Sequence, residues 1–207
     1  MRIVELMSQL DSLENVNEIT TLVVNNFDSY PNIQSGFKSF ISDLDTRDIE
    51  TFRQQIVNLL SVINNFTENE FDALNLALES VGPWYFEDTV ETVNRGDFIY
   101  FPEVESDYDL GVAYVDMIGS IADAVGKDRL DLYINVRDVA EAMYRDDEDY
   151  AQENNLDVED FEEIAGEEIA ANPEQFAEEY FDYEAFGRDL RIGDGYYIGN
   201  TGAIWIL

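Results

Sequence analysis

The chain has 207 residues, 45% of them apolar and 13% aromatic, with 46 acids against 11 bases and a net charge of −35. The apolar fraction excludes a wholly disordered acidic tail and predicts a packed core. The charge argues against direct binding of nucleic acid or an anionic membrane, and for a cationic partner. Cysteine and histidine are both absent, which excludes disulfides, thiolate and imidazole metal sites and histidine-based triads.

Acids fall within the first turns of the opening MRIVELMSQLDSLENV, a pattern unlike a signal peptide. No apolar run approaches the length of a membrane-spanning helix, so the cytoplasm of a host cell is the expected compartment. Residues 1–65 read as helical. Val16, Ile19, Leu22, Val23 and Phe27 follow helical spacing, although their β-branched density leaves a strand open. Pro31 and Gly36 punctuate the next segment, and Ile49, Phe52, Ile56, Leu59, Leu60 and Ile63 form a stripe behind an Asp45 or Thr46 cap. Thr67 and Glu70 make a capping-box pattern. Phe71, Leu74, Leu78 and Val81 line the helix that follows, and Gly82-Pro83 stops it.

A shorter helix is expected over Trp84 to Asn94, then an extended piece from Asp97 to Pro102. One apolar helix is expected from Asp107 to Val125, with Leu110, Ala113, Tyr114, Met117, Ile118 and Ile121 inward and Gly126 as terminator. Farther on, Asp157 can cap a helix with Val158, Phe161, Ile164, Ala165 and Ile169 on one face. Asn172-Pro173 restarts the chain, and Phe176, Tyr180, Phe181 and Tyr183 continue an apolar stripe. Gly195 to Gly199, the turn at Asn200-Thr201-Gly202, and Ala203 to Leu207 read as a hairpin whose Trp205 and Ile206 cover a helix. The fold class is therefore α+β, mainly α: an elongated chain of helical subdomains with a small C-terminal β-hairpin. Three regions are expected: 1–65, 66–126, and 127–207 with the acidic segment and the hairpin.

The charge is concentrated. Residues 1–66 carry net −5, 67–145 carry −13, 146–184 carry −17 with no Lys or Arg, and 185–207 balance. On helices rising about 1.5 Å per residue, the seventeen acids of 146–184 fall at roughly one per 3.4 Å. One strand of B-DNA spaces its phosphates about as closely along its axis. Asp146, Asp147, Glu148, Asp149, Glu153, Asp157, Glu159, Asp160, Glu162, Glu163, Glu167, Glu168, Glu174, Glu178, Glu179, Asp182 and Glu184 are accordingly the candidate phosphate-mimicking surface. Like-charged pairs such as Glu159/Glu163 and Glu163/Glu167 cost a few tenths of a kcal/mol each. A sequence that keeps them without interleaved lysine gives up helix stability.

The run Tyr180 to Leu190, YFDYEAFGRDL, followed by the hairpin, resembles the end of the ArdA antirestriction proteins. Upstream, the helix opening at Thr67, Phe86-Glu87-Asp88, Gly96 to Tyr100, and Leu110 to Gly119 follow a similar order. The resemblance covers roughly 66–125 and 173–207. It implies an elongated, mostly helical mimic of bent duplex DNA that occupies the DNA groove of Type I restriction–modification enzymes and forms a homodimer. In the matching run, Asp182, Glu184 and Asp189 fall where that family places acids, and Tyr180, Tyr183 and Phe186 where it places packing aromatics. Residues 1–60 lack the family's opening sheet, and the acidic region 127–172 is an expansion between the matching blocks. An inhibitor of another DNA-binding defence nuclease remains open.

Other chemistries are weaker. Glu103, Glu105, Asp107 and Asp109 alternate before Gly111, but counting from Glu105 the glycine comes seventh and Asp116 twelfth. An EF-hand needs glycine sixth and a bidentate Glu twelfth. No Gly-rich phosphate loop is present, and paired carboxylates occur in any acidic protein, so neither an enzyme nor a cofactor is expected. Tyr144, Tyr150, Tyr180 and Tyr183 fit a core at helical spacing or a stacking surface.

Overall fold

The computed structural model describes residues 3–206, a mainly helical α+β fold that packs into two units. Unit 1 comprises, among the described residues, 3–105 and 195–206; unit 2 is Ser106–Asp194. The division does not follow the three regions expected from the sequence. Residues on both sides of position 65 share one core, and the C-terminal hairpin returns to the first unit.

Unit 1 contains α1 (Ile3–Leu10), α2 (Val16–Asn25), α3 (Pro31–Asp43), α4 (Ile49–Ile63), α5 (Glu68–Val81), a 3-10 turn at Pro83–Tyr85, α6 (Phe86–Arg95), β1 (Phe98–Pro102), β2 (Tyr197–Gly199) and β3 (Gly202–Ile206). Its core gathers Phe27, Phe37, Phe52 and Phe86 with Ile19, Ile33, Ile56, Leu60 and Leu74, all essentially without solvent contact. The valine-rich α2 is a helix, not a strand. Asn15 caps it by accepting from the Asn17 N–H at 2.8 Å, and Ile19 and Val23, one turn apart, are both buried. Tertiary burial overrides the strand preference of its β-branched residues.

Pro31 is the first residue of α3 rather than a break, and Gly36 lies inside that helix. A Cβ at Gly36 would sit 2.6 Å from the Phe86 ring, so the glycine lets α6 approach. Tyr30 offers α3 no side-chain cap. The buried Asn75 of α5 does so instead, its Oδ1 accepting from the N–H groups of Asn32 at 3.0 Å and Ile33 at 3.4 Å. Helix α4 is capped by Asp48, not by Asp45 or Thr46; Asp45 is held by the Arg47 guanidinium. The capping box of α5 forms as expected. The Thr67 N–H donates to Glu70 at 2.6 Å and the Glu70 N–H to Thr67 Oγ1 at 3.3 Å.

The hairpin of β2 and β3 gains β1 as a third antiparallel strand, in the order β1-β3-β2. Tyr100 and Tyr197 flank Ile204, which packs on Ala73, Leu76 and Ala77 of α5. Ile206 follows Ile204 onto that helix, but Trp205 points to the other face and stacks on Tyr196. The strand's alternation makes both placements impossible for neighbouring residues. Leu207, expected to end the strand, lies outside the described residues.

Unit 2 contains α7 (Asp107–Ile118), α8 (Ile121–Val125), a 3-10 segment at Lys127–Tyr133, α9 (Val136–Asp146), α10 (Glu148–Asn154), α11 (Val158–Ala171), α12 (Pro173–Tyr180) and α13 (Tyr183–Gly193). The expected single helix from Asp107 to Val125 is two. Gly119 adopts a left-handed φ of +96° and ends α7, and Ser120 caps α8 by accepting from the Asp123 N–H at 3.1 Å. Met117 and Ile118, expected inward, are exposed beside this break. The stripe expected from Phe176 to Tyr183 is also interrupted. Phe181 is extended and pairs with Ile134, with Asn135 N–H donating to the Tyr180 carbonyl and Asp182 N–H to the Tyr133 carbonyl.

Two helix pairs organise the unit: α7 with α13, and α9 with α11. The first is a close antiparallel crossing at two glycines. A Cβ on Gly111 would strike the Tyr183 carbonyl, and one on Gly187 the Asp107 carbonyl. Arg191 of α13 closes the same pair through two hydrogen bonds to Asp107 of α7, at 2.6 and 3.1 Å. The second pair buries Val139 and Ala140 of α9, and Phe161, Ala165 and Ile169 of α11. The Tyr144 ring meets Phe161 edge-on at 5.8 Å.

Gly187→Ala should lower stability by about 1–3 kcal/mol in urea unfolding of the full chain, because backbone must move to admit the methyl. An unchanged midpoint would contradict the crossing. The Arg191 hydrogen bonds hold the Asp107 carboxyl below the usual carboxylate range. That contribution is present above the unfolded value and is lost as pH falls through the lowered native one. Hydrogen exchange in α7 and α13 should therefore be faster in Asp107→Asn than in the parent at pH 7, with the difference closing below about pH 4. A difference independent of pH would show that the ion pair is not its source.

Candidate anionic interface

The seventeen predicted acids all lie in unit 2, where 27 acids face six bases for a net −21. Fifteen of them are exposed; Glu162 and Asp182 are half-buried. The densest element is α11. Its 14 residues, about 21 Å of helix, carry six acids and no base. Phe161, Ala165 and Ile169 occupy its buried face, and at about 100° per residue Glu159, Glu163, Glu167 and Asp160 fan over the outer one, while Glu168 flanks the stripe beside Phe161 and is still exposed. Glu159, Glu163 and Glu167 stand one above the other at intervals of about 6 Å. Ile164, expected inward, is 46% exposed between Asp160 and Glu168, one turn to either side. The buried stripe is too narrow to reach it.

Three of the seventeen also build the helices. Asp157 accepts from the N–H groups of Glu159 at 3.0 Å and Asp160 at 3.3 Å, and Asp160 returns the bond to the Asp157 N–H at 2.9 Å. Asp182 caps α13 through the Ala185 N–H at 2.9 Å. Negative charge at these helix starts also complements the helix dipole. Two more meet cations. Glu174 pairs with Lys127 at 2.6 Å, and Glu162 lies 3.6 Å from Arg137, which also reaches Glu141 at 3.4 Å. These pairs are largely exposed and correspondingly weak, so both carboxylates stay available to a stronger cationic partner. The Glu174 carboxylate raises the Lys127 ammonium above its ordinary value.

The support beneath the acids differs from end to end. Glu148, Asp149 and Glu153 sit on the seven-residue α10, whose single buried residue is Ala151 and which ends at Asn155 in a left-handed conformation. At the other end, aromatic packing is dense. Tyr133, Phe181 and Phe186 meet at ring separations of 5.3 to 6.0 Å, and Tyr114 and Tyr183 pack beside them. The Tyr133 hydroxyl donates to Asp189 at 2.8 Å and accepts from Arg129 at 3.2 Å. Burial first, and that bond to Asp189 next, push the Tyr133 phenol above its usual range. Tyr180 is raised by burial and then by the adjacent Glu179. Of the tyrosines expected in a core or a stacking surface, Tyr144, Tyr180 and Tyr183 are half-buried and Tyr150 is exposed.

Asp123, Asp128, Asp131, Asp138 and Glu141 are exposed in the same unit and add to its anionic surface. Sequence reasoning passed over them because Lys127, Arg129 and Arg137 are interleaved among them and dilute the local charge. Of the alternating acids weighed as a calcium loop, Asp107 is committed to Arg191 and Asp109 to the cap of α7, where Ser106 Oγ donates to it at 2.7 Å. Among the described residues, no three acids are grouped to hold a metal ion, and no helix is long and apolar enough to cross a membrane. Such a surface accepts hydrogen bonds and pairs with Lys or Arg. No family model matches the chain, and no curated protein or solved structure matches it either.

Proposed function

We propose that this protein is a DNA mimic that inhibits restriction–modification enzymes by occupying their DNA-binding groove. The observation that carries the reading is the exposure of fifteen of the seventeen acids of residues 146–184, densest on α11, whose opposite face is buried. DNA-binding enzymes draw most of their nonspecific affinity from Lys and Arg contacts with phosphate. Carboxylates held by a packed scaffold capture that contribution while offering no scissile backbone and no base edges to read. The C-terminal resemblance to ArdA proteins supports a Type I enzyme as the target. Inhibition is stoichiometric and involves no turnover.

Replacing Glu159, Glu163 and Glu167 with Gln removes two like-charged pairs from the outer row of α11. The triple variant should melt at the same or a slightly higher temperature, since each relieved pair contributes a few tenths of a kcal/mol. Its inhibition of a purified Type I restriction enzyme should be at least about tenfold weaker, each lost charge-assisted contact contributing on the order of 1 kcal/mol. The parent should titrate the enzyme close to one copy per DNA site. Equal inhibition by parent and variant would remove α11 from the contact surface, and inhibition far below equivalence would point to a catalyst.

A further inference from the structure

Unit 1 keeps an aromatic group outside its core. Trp84 is 79% exposed, Tyr85 56% and Val81 40%, all within five residues that span the end of α5 and the turn before α6. The turn is fixed. The Gly82 N–H donates to the Leu78 carbonyl at 3.0 Å, the Tyr85 N–H to the Gly82 carbonyl at 3.4 Å, and Thr89 Oγ1 to the Tyr85 carbonyl at 2.6 Å. The next residue, Phe86, is buried against Phe37 at 4.7 Å and beneath Gly36. Trp84 and Tyr85 are therefore presented on rigid backbone, which lowers the entropy lost when a partner covers them. Large exposed apolar side chains this close in the chain are the material of an interaction surface.

Its charge frame says what covers it. From residue 54 to 94 there are seven acids and no Lys or Arg. Glu87 and Asp88, directly after the aromatics, are exposed, and Glu91 follows one turn on. The first base beyond, Arg95, is engaged by Glu91 at 3.1 Å and Asp97 at 2.6 Å. A second copy would bring two such frames together at a net charge of −35 each. A cationic surface is complementary instead.

We infer that Val81, Trp84 and Tyr85 form an anchor for a basic protein surface with an apolar recess between its Lys and Arg side chains. Nucleic-acid enzymes hold an unstacked base in a recess of that chemistry, beside cations that bind the neighbouring phosphates. The Trp84 indole takes the place of the base, and Glu87 and Asp88 those of its phosphates. The inference rests on the DNA-mimic reading and adds to it an uncharged contact on unit 1.

The test uses a purified Type I modification methyltransferase as probe, displaced from a labelled duplex by the full-length protein over a series of salt concentrations. Trp84→Ala should bind at least tenfold more weakly with an unchanged salt slope, because an apolar contact is lost and no charge. Trp84→Phe should recover part of the affinity. In Trp205→Phe carrying fluorine-labelled tryptophan, where Trp84 is the only labelled indole, the fluorine resonance should shift on binding. Equal affinity of the parent and Trp84→Ala, with no spectral shift, overturns this inference alone. A parent dimer in sedimentation that Trp84→Ala dissociates overturns it in favour of self-association. Failure of the parent to displace the duplex removes the mimic reading, and this inference with it.

Discussion

Unit 2 depends on the burial of narrow apolar stripes against the mutual repulsion of 27 carboxylates in 89 residues. Those stripes are thin. Helix α11 buries Phe161, Ala165 and Ile169, and α9 buries Val139 and Ala140. The alanines among them, Ala140 and Ala165, let the two helices pack closely, with the acids left outside. The Gly111–Gly187 crossing takes the same solution further, with one helix backbone lying against the other. Close approach supplements the aromatic cluster of Tyr133, Phe181 and Phe186, and it also fixes where the outward side chains stand.

That constraint separates two uses of charge. Asp157, Asp160 and Asp182 are consumed in starting helices, and Asp107 in clamping α7 to α13 through Arg191. Glu159 adds favourable charge at the start of α11, but it, Glu163 and Glu167 repel one another along the outer row. An exposed row of this kind is what the proposed mimicry of phosphates would use. Unit 1, at net −14, has no such row; Glu87 and Asp88 are exposed close in the chain to Trp84 and Tyr85.

Local features were legible in the sequence and long-range ones were not. The Thr67–Glu70 box, the Asp157 cap and the stripe of α4 follow from residues within one or two turns of each other, and all are present; the stripe expected along α5 holds at Leu74 and Leu78 but not at Val81, which is exposed. Asp45, Thr46 and Asp48 offer equivalent local capping chemistry, and Asp48 takes the cap while Arg47 holds Asp45. The break at Gly119 depends on the Ser120–Asp123 cap outweighing the apolar periodicity that runs through it. Asn75 capping α3 from 43 residues away, and β1 joining β3 from the far end of the chain, leave no short-range mark. For the candidate site, the identity of the acids and their exposure could be anticipated from the sequence. The weak support of α10 and the exposed Ile164 could not, since both turn on how wide the buried stripe is.

The claim that carboxylates on this scaffold stand in for phosphates is tested most directly by the salt dependence of its affinity for a DNA-binding restriction enzyme. The account predicts competition with duplex DNA for one site, and an affinity that falls at least about tenfold between roughly 50 and 200 mM salt, as phosphate-dominated binding does. Binding that is insensitive to salt, or that proceeds alongside bound duplex, would contradict it.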